Sequence, residues 1–205
     1  MNGKLGATAV LIRAGRAPRI LHLHLGPERE HTVHDAELVG TLLGMHLISM
    51  EKHGSTTCAI GVDNQAAIRA FHSALRSHDH HIARKIIRMA NQVQRRMTRG
   101  SHTLTVRWTA GHEGLRGNEA ADQEARRAAE GETSGKHSLP SYARKPLLIN
   151  PAAVRRAHHD ALVRQWENDW RSSERGSRVA RLDASTFLKA ISRNGLSRND
   201  ASRIA

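Results

Sequence analysis

The sequence predicts an α/β fold: a mixed sheet with helices on both faces, followed by a basic helical segment at the C-terminal end. Three observations carry that prediction. Apolar residues alternate with polar ones near the start, apolar residues recur at helical spacing in several later stretches, and short β-branched runs fall between those stretches. Strands and helices therefore interleave rather than segregate.

The elements follow in order. Residues 5–13, LGATAVLIR, read as a strand, and 19–25, RILHLHL, alternate leucine with histidine as a half-buried strand does; AGRAP between them is a turn, so the two form a hairpin. In 36–50, AELVGTLLGMHLISM, the residues Leu38, Leu42, Met45 and Leu47 or Ile48 share one helical face, with Asp35 placed as a cap. TTCAIGV at 56–62 has the character of a buried strand and runs directly into a helix over 64–75. A further helix over 82–97 carries the stripe Ile82, Ile86, Met89, Val93 and Met97. SHTLTVRWTAG at 101–111 alternates as a strand, and an Ala-rich helix covers 119–130. Patterning stops around 131–146. This divides the chain into a domain over 1–131, a linker over 132–150 and a basic helical segment over 151–205, with short helices expected within 183–204.

Composition narrows the function. The chain has 205 residues and a formal charge of +13, with 18 Lys and Arg against 13 Asp and Glu in 1–135 and 14 against 6 in 136–205. Such an excess favours a polyanionic partner, nucleic acid before an anionic membrane. No apolar run reaches the length of a membrane span, and no secretory signal is recognisable. The single cysteine, Cys58, excludes an internal disulfide and fits a reducing, intracellular compartment, without distinguishing nucleus from cytoplasm.

The chemistry signal lies in where three acids fall. Glu37 is near the start of a helix, Asp63 directly follows a buried strand, and Asp122 opens the last helix after a glycine-rich loop. The end of a strand is the favoured place for a site in an open α/β sheet. Taken singly, each acid has a structural explanation as a cap or a dipole partner. Taken together, converging carboxylates repel unless a hard cation such as Mg²⁺ neutralises them, and such ions serve phosphodiester cleavage. His112 lies in GHEGLRGNEAAD among Gly111, Gly114 and Gly117, where it could swing toward a leaving group and move a proton.

These residues carry a resemblance. GHEGLRGNEAADQEAR at 111–126 is similar to the closing motif of ribonuclease H domains; HDAELVGTLLGM at 34–45 resembles their AE-helix and IGVDNQAAI at 60–68 their strand-end aspartate. The variant resembled most is that of fungal non-LTR retrotransposon polyproteins. WENDWRSSERG at 166–176 and FLKAISRNGLSRNDAS at 187–202 look like the stretch after ribonuclease H in those polyproteins. The resemblance implies a ribonuclease H-like sheet and hydrolysis of the RNA strand of an RNA–DNA hybrid. It further implies a two-metal Mg²⁺ site with Glu37, Asp63 and Asp122 as ligands, His112 as the mobile-loop histidine, and an original fusion to a reverse transcriptase.

One part of the family pattern is missing. The resembled fold opens with a central strand bearing an aspartate, and no residue before Glu37 matches it; Asp35 is the only earlier Asp. The expectation is thus a fragment truncated at both ends, lacking that first strand, with an incomplete metal site and impaired catalysis. The alternative is a non-catalytic fragment that binds nucleic acid through Arg155, Arg156, Arg164 and Arg171, or a structural relic. On a helix, Trp166 and Trp170 are expected to pack rather than to stack on bases.

Overall fold

The structure, a computed structural model, describes residues 3–51, 57–74, 81–97, 103–109 and 116–174. Strands β1 (Lys4–Arg13) and β2 (Arg16–Pro27) form an antiparallel hairpin, with Val10 opposite Ile20 and Ala9 opposite Leu21. Gly15, at φ +66°, supplies the left-handed residue that closes so tight a turn. The second strand starts at Arg16, three residues before the alternation of leucine and histidine begins. Leu5, Ala7, Leu21 and Leu23 turn to one face and are buried, the period-two pattern of a sheet with one dry face.

Helix α1 (Val33–Ser49) lies against that face and against a second helix, α3 (His81–Met97). Its start lies earlier than apolar spacing implied. Thr32, not Asp35, is the cap: its hydroxyl accepts from the Asp35 backbone N–H, while the Asp35 carboxylate accepts from the Thr32 backbone N–H. This reciprocal capping box fixes the first turn. With neighbours on two sides, Leu38, Leu42 and Met45 are all buried, and so are Val39 and Leu43 from outside the stripe. Each such side chain contributes roughly 1.5–3 kcal/mol when fully buried.

Strand β3 (Cys58–Val62) pairs in parallel with β4 (Leu104–Trp108), Ile60 opposite Val106. Between them run α2 (Gln65–Ala74) and α3, whose Ile82, Ile86, Val93 and Met97 are buried as its stripe predicts. The paired part of β4 covers five residues rather than the eleven of the alternating segment. Helix α4 (Arg116–Glu130) packs on the other face of β1. At Gly6 this approach is so close that a Cβ would stand 2.2 Å from the Ala129 backbone nitrogen, which only glycine permits. His22 Nε2–H donates to Glu124 over 2.5 Å and ties β2 to α4; that bond holds the Glu124 carboxyl below the usual carboxylate range.

The mixed sheet thus exists as two halves, antiparallel β1–β2 and parallel β3–β4. Among the described residues no strand lies between them. Helices cover the assembly from both sides, as expected of the α/β class.

Residues 132–150, expected as a linker, pack on the domain instead. Leu139 and Ala143 are buried in its core, the latter in a 3₁₀ turn over Ser141–Arg144. Ser134 and Thr133 hydrogen-bond with His22 and His24 along the outer edge of β2. Asn150 Nδ2–H donates to the Asp35 carboxylate over 2.7 Å. The isolated apolar residues of this segment have no periodicity, which is why their burial escapes a pattern-based reading. The chain divides into compact units at Met1–Arg155 and Arg156–Ala205, so the division falls within α5 (Pro151–Ser172). In the second unit Trp166 and Trp170 stack on each other, centroids 5.9 Å apart, and Trp166 remains 45% exposed. The short helices expected within 183–204 lie outside the described residues. No helix among the described residues is long and apolar enough to cross a membrane.

Candidate active site

The two half-sheets face each other across a cleft of about 380 Å³, with α1 along one side and α4 along the other. Three acids open into it: Glu37 from α1, Asp63 from the end of β3 and Asp122 from α4. Each is placed by local structure. Asp63 follows the last residue of β3, and the helix-capping role belongs to its neighbour: Asn64 Oδ1 accepts from the backbone N–H of Ala66 and Ala67 at 2.9 and 3.3 Å. The Asp63 carbonyl accepts from Trp108 Nε1–H over 3.0 Å, which joins the ends of β3 and β4. Capping therefore makes no demand on the Asp63 carboxylate. Glu37 and Asp122 stand in the second turns of their helices, not the first, because both helices begin earlier than apolar spacing suggests.

The acids act on one another. Burial, then the negative charge of Asp63, then that of Asp122 push the Glu37 carboxyl up to about 7. Burial disfavours the charged form, and like charges add to that cost. Glu37 feels all three effects at once.

Asp35, the only aspartate before Glu37, takes no part. Its carboxylate is spent on the Thr32 backbone and hydroxyl and on Asn150, so it does not stand in for a strand-borne acid. His112 lies outside the described residues. Sequence reasoning missed Arg107 and Asn118, which line the same cleft. The Nδ2 of Asn118 is buried without a hydrogen-bond partner. Its place in the GN pair before Asp122 was visible; its unmet donor was not.

Carboxylate oxygens are the donor type that Mg²⁺ selects, so the chemistry of the three acids suits that ion. Their spacing is wider than a closed site: among the described residues no three His, Cys, Asp or Glu side chains are grouped so that they could hold a metal ion. The arrangement is an acidic cleft that concentrates negative charge at the end of β3, within a chain whose net charge is +13.

The RNase H family model matches residues 1–130, the stretch that includes all four strands and all three acids. No curated protein matches the chain.

Proposed function

The chain belongs to the RNase H family, and from that premise we propose that its acidic cleft is a ribonuclease H-type site, directed at the RNA strand of an RNA–DNA hybrid and impaired in these 205 residues. One observation carries the reading: Glu37, Asp63 and Asp122 reach one cleft from three different elements, close enough for their charges to help hold Glu37 near 7. Shifted carboxyls in a cleft mark functional sites more often than structural ones. Glu37, Asp63 and Asp122 are the residues that would hold Mg²⁺, which when bound neutralises phosphate charge and polarises water.

The impairment rests on the same cleft. Among the described residues, no acid comes from the space between β1 and β3, and the three that are present do not close into a metal-holding group. The basic surface supports hybrid binding without turnover. Arg155, Arg156, Arg164 and Arg171 of α5 are exposed, and exposed Trp166 favours a base-stacking role over the packing expected of it. The motif resemblance supports an origin in a retroelement polyprotein with a reverse transcriptase, and an intracellular location.

The test is cleavage of an end-labelled RNA strand in a hybrid of roughly two helical turns with Mg²⁺, by the full chain and by Asp63→Asn. The expected result is hybrid binding that weakens with salt and no cleavage above the variant. Cleavage by the full chain that Asp63→Asn abolishes would overturn the impairment and keep the site. A chain that neither binds hybrid nor gains stability from Mg²⁺ would overturn the site itself.

A further inference from the structure

We propose that the cleft between β1 and β3 is a strand-accepting slot, which takes an extended segment of a second polypeptide, apolar on both faces, running antiparallel to β1 and parallel to β3. Sheet geometry carries this, independently of the hydrolytic reading.

Two unpaired edges face one another there. Among the described residues β1 pairs only with β2 and β3 only with β4, while Gly6–Leu11 of β1 and Ala59–Asp63 of β3 line opposite walls of the cleft. Every second residue of an edge strand directs its N–H and C=O outward, and such groups are costly when buried without partners. The outer edge of β2 is covered by Thr133 and Ser134; among the described residues nothing covers the inner edges of β1 and β3 in the same way.

The direction of the occupant follows from α1. Along that helix, Gly40 meets Thr8, Gly44 meets both Ala9 and Ile60, and Ile48 gathers Leu11, Cys58 and Ile60. β1 therefore ascends where β3 descends, and the two run antiparallel. A strand between them is antiparallel to one and parallel to the other. The antiparallel ladder is the stronger per residue, and β1 offers ten residues against five in β3, so the stronger pairing goes to the longer edge.

The chemistry of the occupant follows from the walls. Helices close the slot on both sides, so its strand must be apolar on both faces. The helix surfaces that meet it are small, Gly40 and Gly44 on α1 and Ala121 and Ala125 on α4, which leaves room for β-branched side chains. The unpartnered Asn118 Nδ2 lines the same cleft, a donor suited to a strand carbonyl.

The probe is a fluorescein-labelled peptide of eight alternating valines and alanines between Gly-Ser ends, titrated into the full chain without Mg²⁺ or nucleic acid. Saturable binding is expected, with a raised Tm and slowed amide exchange in β1 and β3. A peptide N-methylated at alternate residues keeps its apolar faces but loses backbone donors, and is expected to bind at least tenfold more weakly. Ala121→Phe, which fills the slot from α4, is expected to weaken binding similarly. Amide exchange on the unaltered chain keeps the test decisive should that variant fail to fold. Equal affinity for both peptides, no binding by the folded chain, or self-association that protects the same edges would each overturn the proposal. None of these outcomes bears on hybrid cleavage, so the two readings fail separately.

Discussion

Replacing Glu37 with glutamine removes the most strained charge in the molecule and keeps its shape. In the fold the carboxyl ionises near 7; in the unfolded chain it ionises near 4.5. The folded state therefore holds its proton more tightly, and stability falls with rising pH across that interval. Below about 4.5 the group is neutral in both states, so wild type and Glu37→Gln should be equally stable there. Between 4.5 and 7 the unfolded chain releases the proton first and the wild type loses ground; above 7 the loss is complete. At ~1.4 kcal/mol per pKa unit, discounted for the part of the carboxyl that water still screens, the variant should be more stable by about 2 kcal/mol at pH 8. For a unit the size of Met1–Arg155 this raises Tm by roughly 4–8 °C. The assay is thermal unfolding by circular dichroism at pH 4.5 and 8 in metal-free buffer. The same Tm difference at both pH values, or a variant less stable at pH 8, would refute the argument that Glu37 is held in an uncompensated acidic cleft.

Other consequences follow from neighbouring groups. Asp63→Asn should lower the ionisation point of Glu37 without returning it to 4.5, because burial is the larger cause and remains; carbon-13 titration of the glutamate side chains reads this directly. Asp35→Ala removes the capping box and the Asn150 tie and should cost about 1–2 kcal/mol in urea unfolding, with the pH profile of Glu37→Gln unchanged. Leu139→Ala, at a position 1% exposed, should cost about 2–5 kcal/mol; a loss under about 0.5 kcal/mol would mean that 132–150 is not part of the cooperative unit. Changing Arg155, Arg156, Arg164 and Arg171 together to Gln should flatten the salt dependence of hybrid binding, by close to one unit of slope for each phosphate that is no longer neutralised.

The α/β class was legible because the periods are clean: the 82–97 stripe and the alternation in β1 and β2 place their side chains where the fold buries them. Asp63 was legible as a site residue for a sound reason, the end of a buried strand, but its release from capping depended on Asn64, which periodicity does not weigh. The start of α1 was misplaced because Thr32 caps through a reciprocal pair with Asp35, and Asp35 alone looks like a cap. The packing of 132–150 was illegible since Leu139 and Ala143 are single apolar residues in a polar stretch. The state of Glu37 was beyond any local pattern, for its causes are burial and two acids distant in sequence.

The missing strand could also be anticipated, but not what its absence does to the rest. Loss of a central strand suggests collapse of the two halves into each other, or their separation. Neither occurs, because α1 bridges them through side chains. Gly44 lets Ala9 and Ile60 approach the helix together, each within 3.8 Å of the Cβ it lacks, and Ile48 gathers Leu11 with Cys58 and Ile60. The apolar layer on that side is continuous although the backbone ladder is not. What the assembly lacks is therefore mainly backbone hydrogen bonding, together with the side chains that a strand would set between α1 and α4. Two results depend on this division. The acids still converge, since Glu37, Asp63 and Asp122 are positioned by helices and by the β3–β4 pair, none of which needs the gap filled. The slot stays open to a strand, since its floor is already built and only the ladders on either side remain to be made.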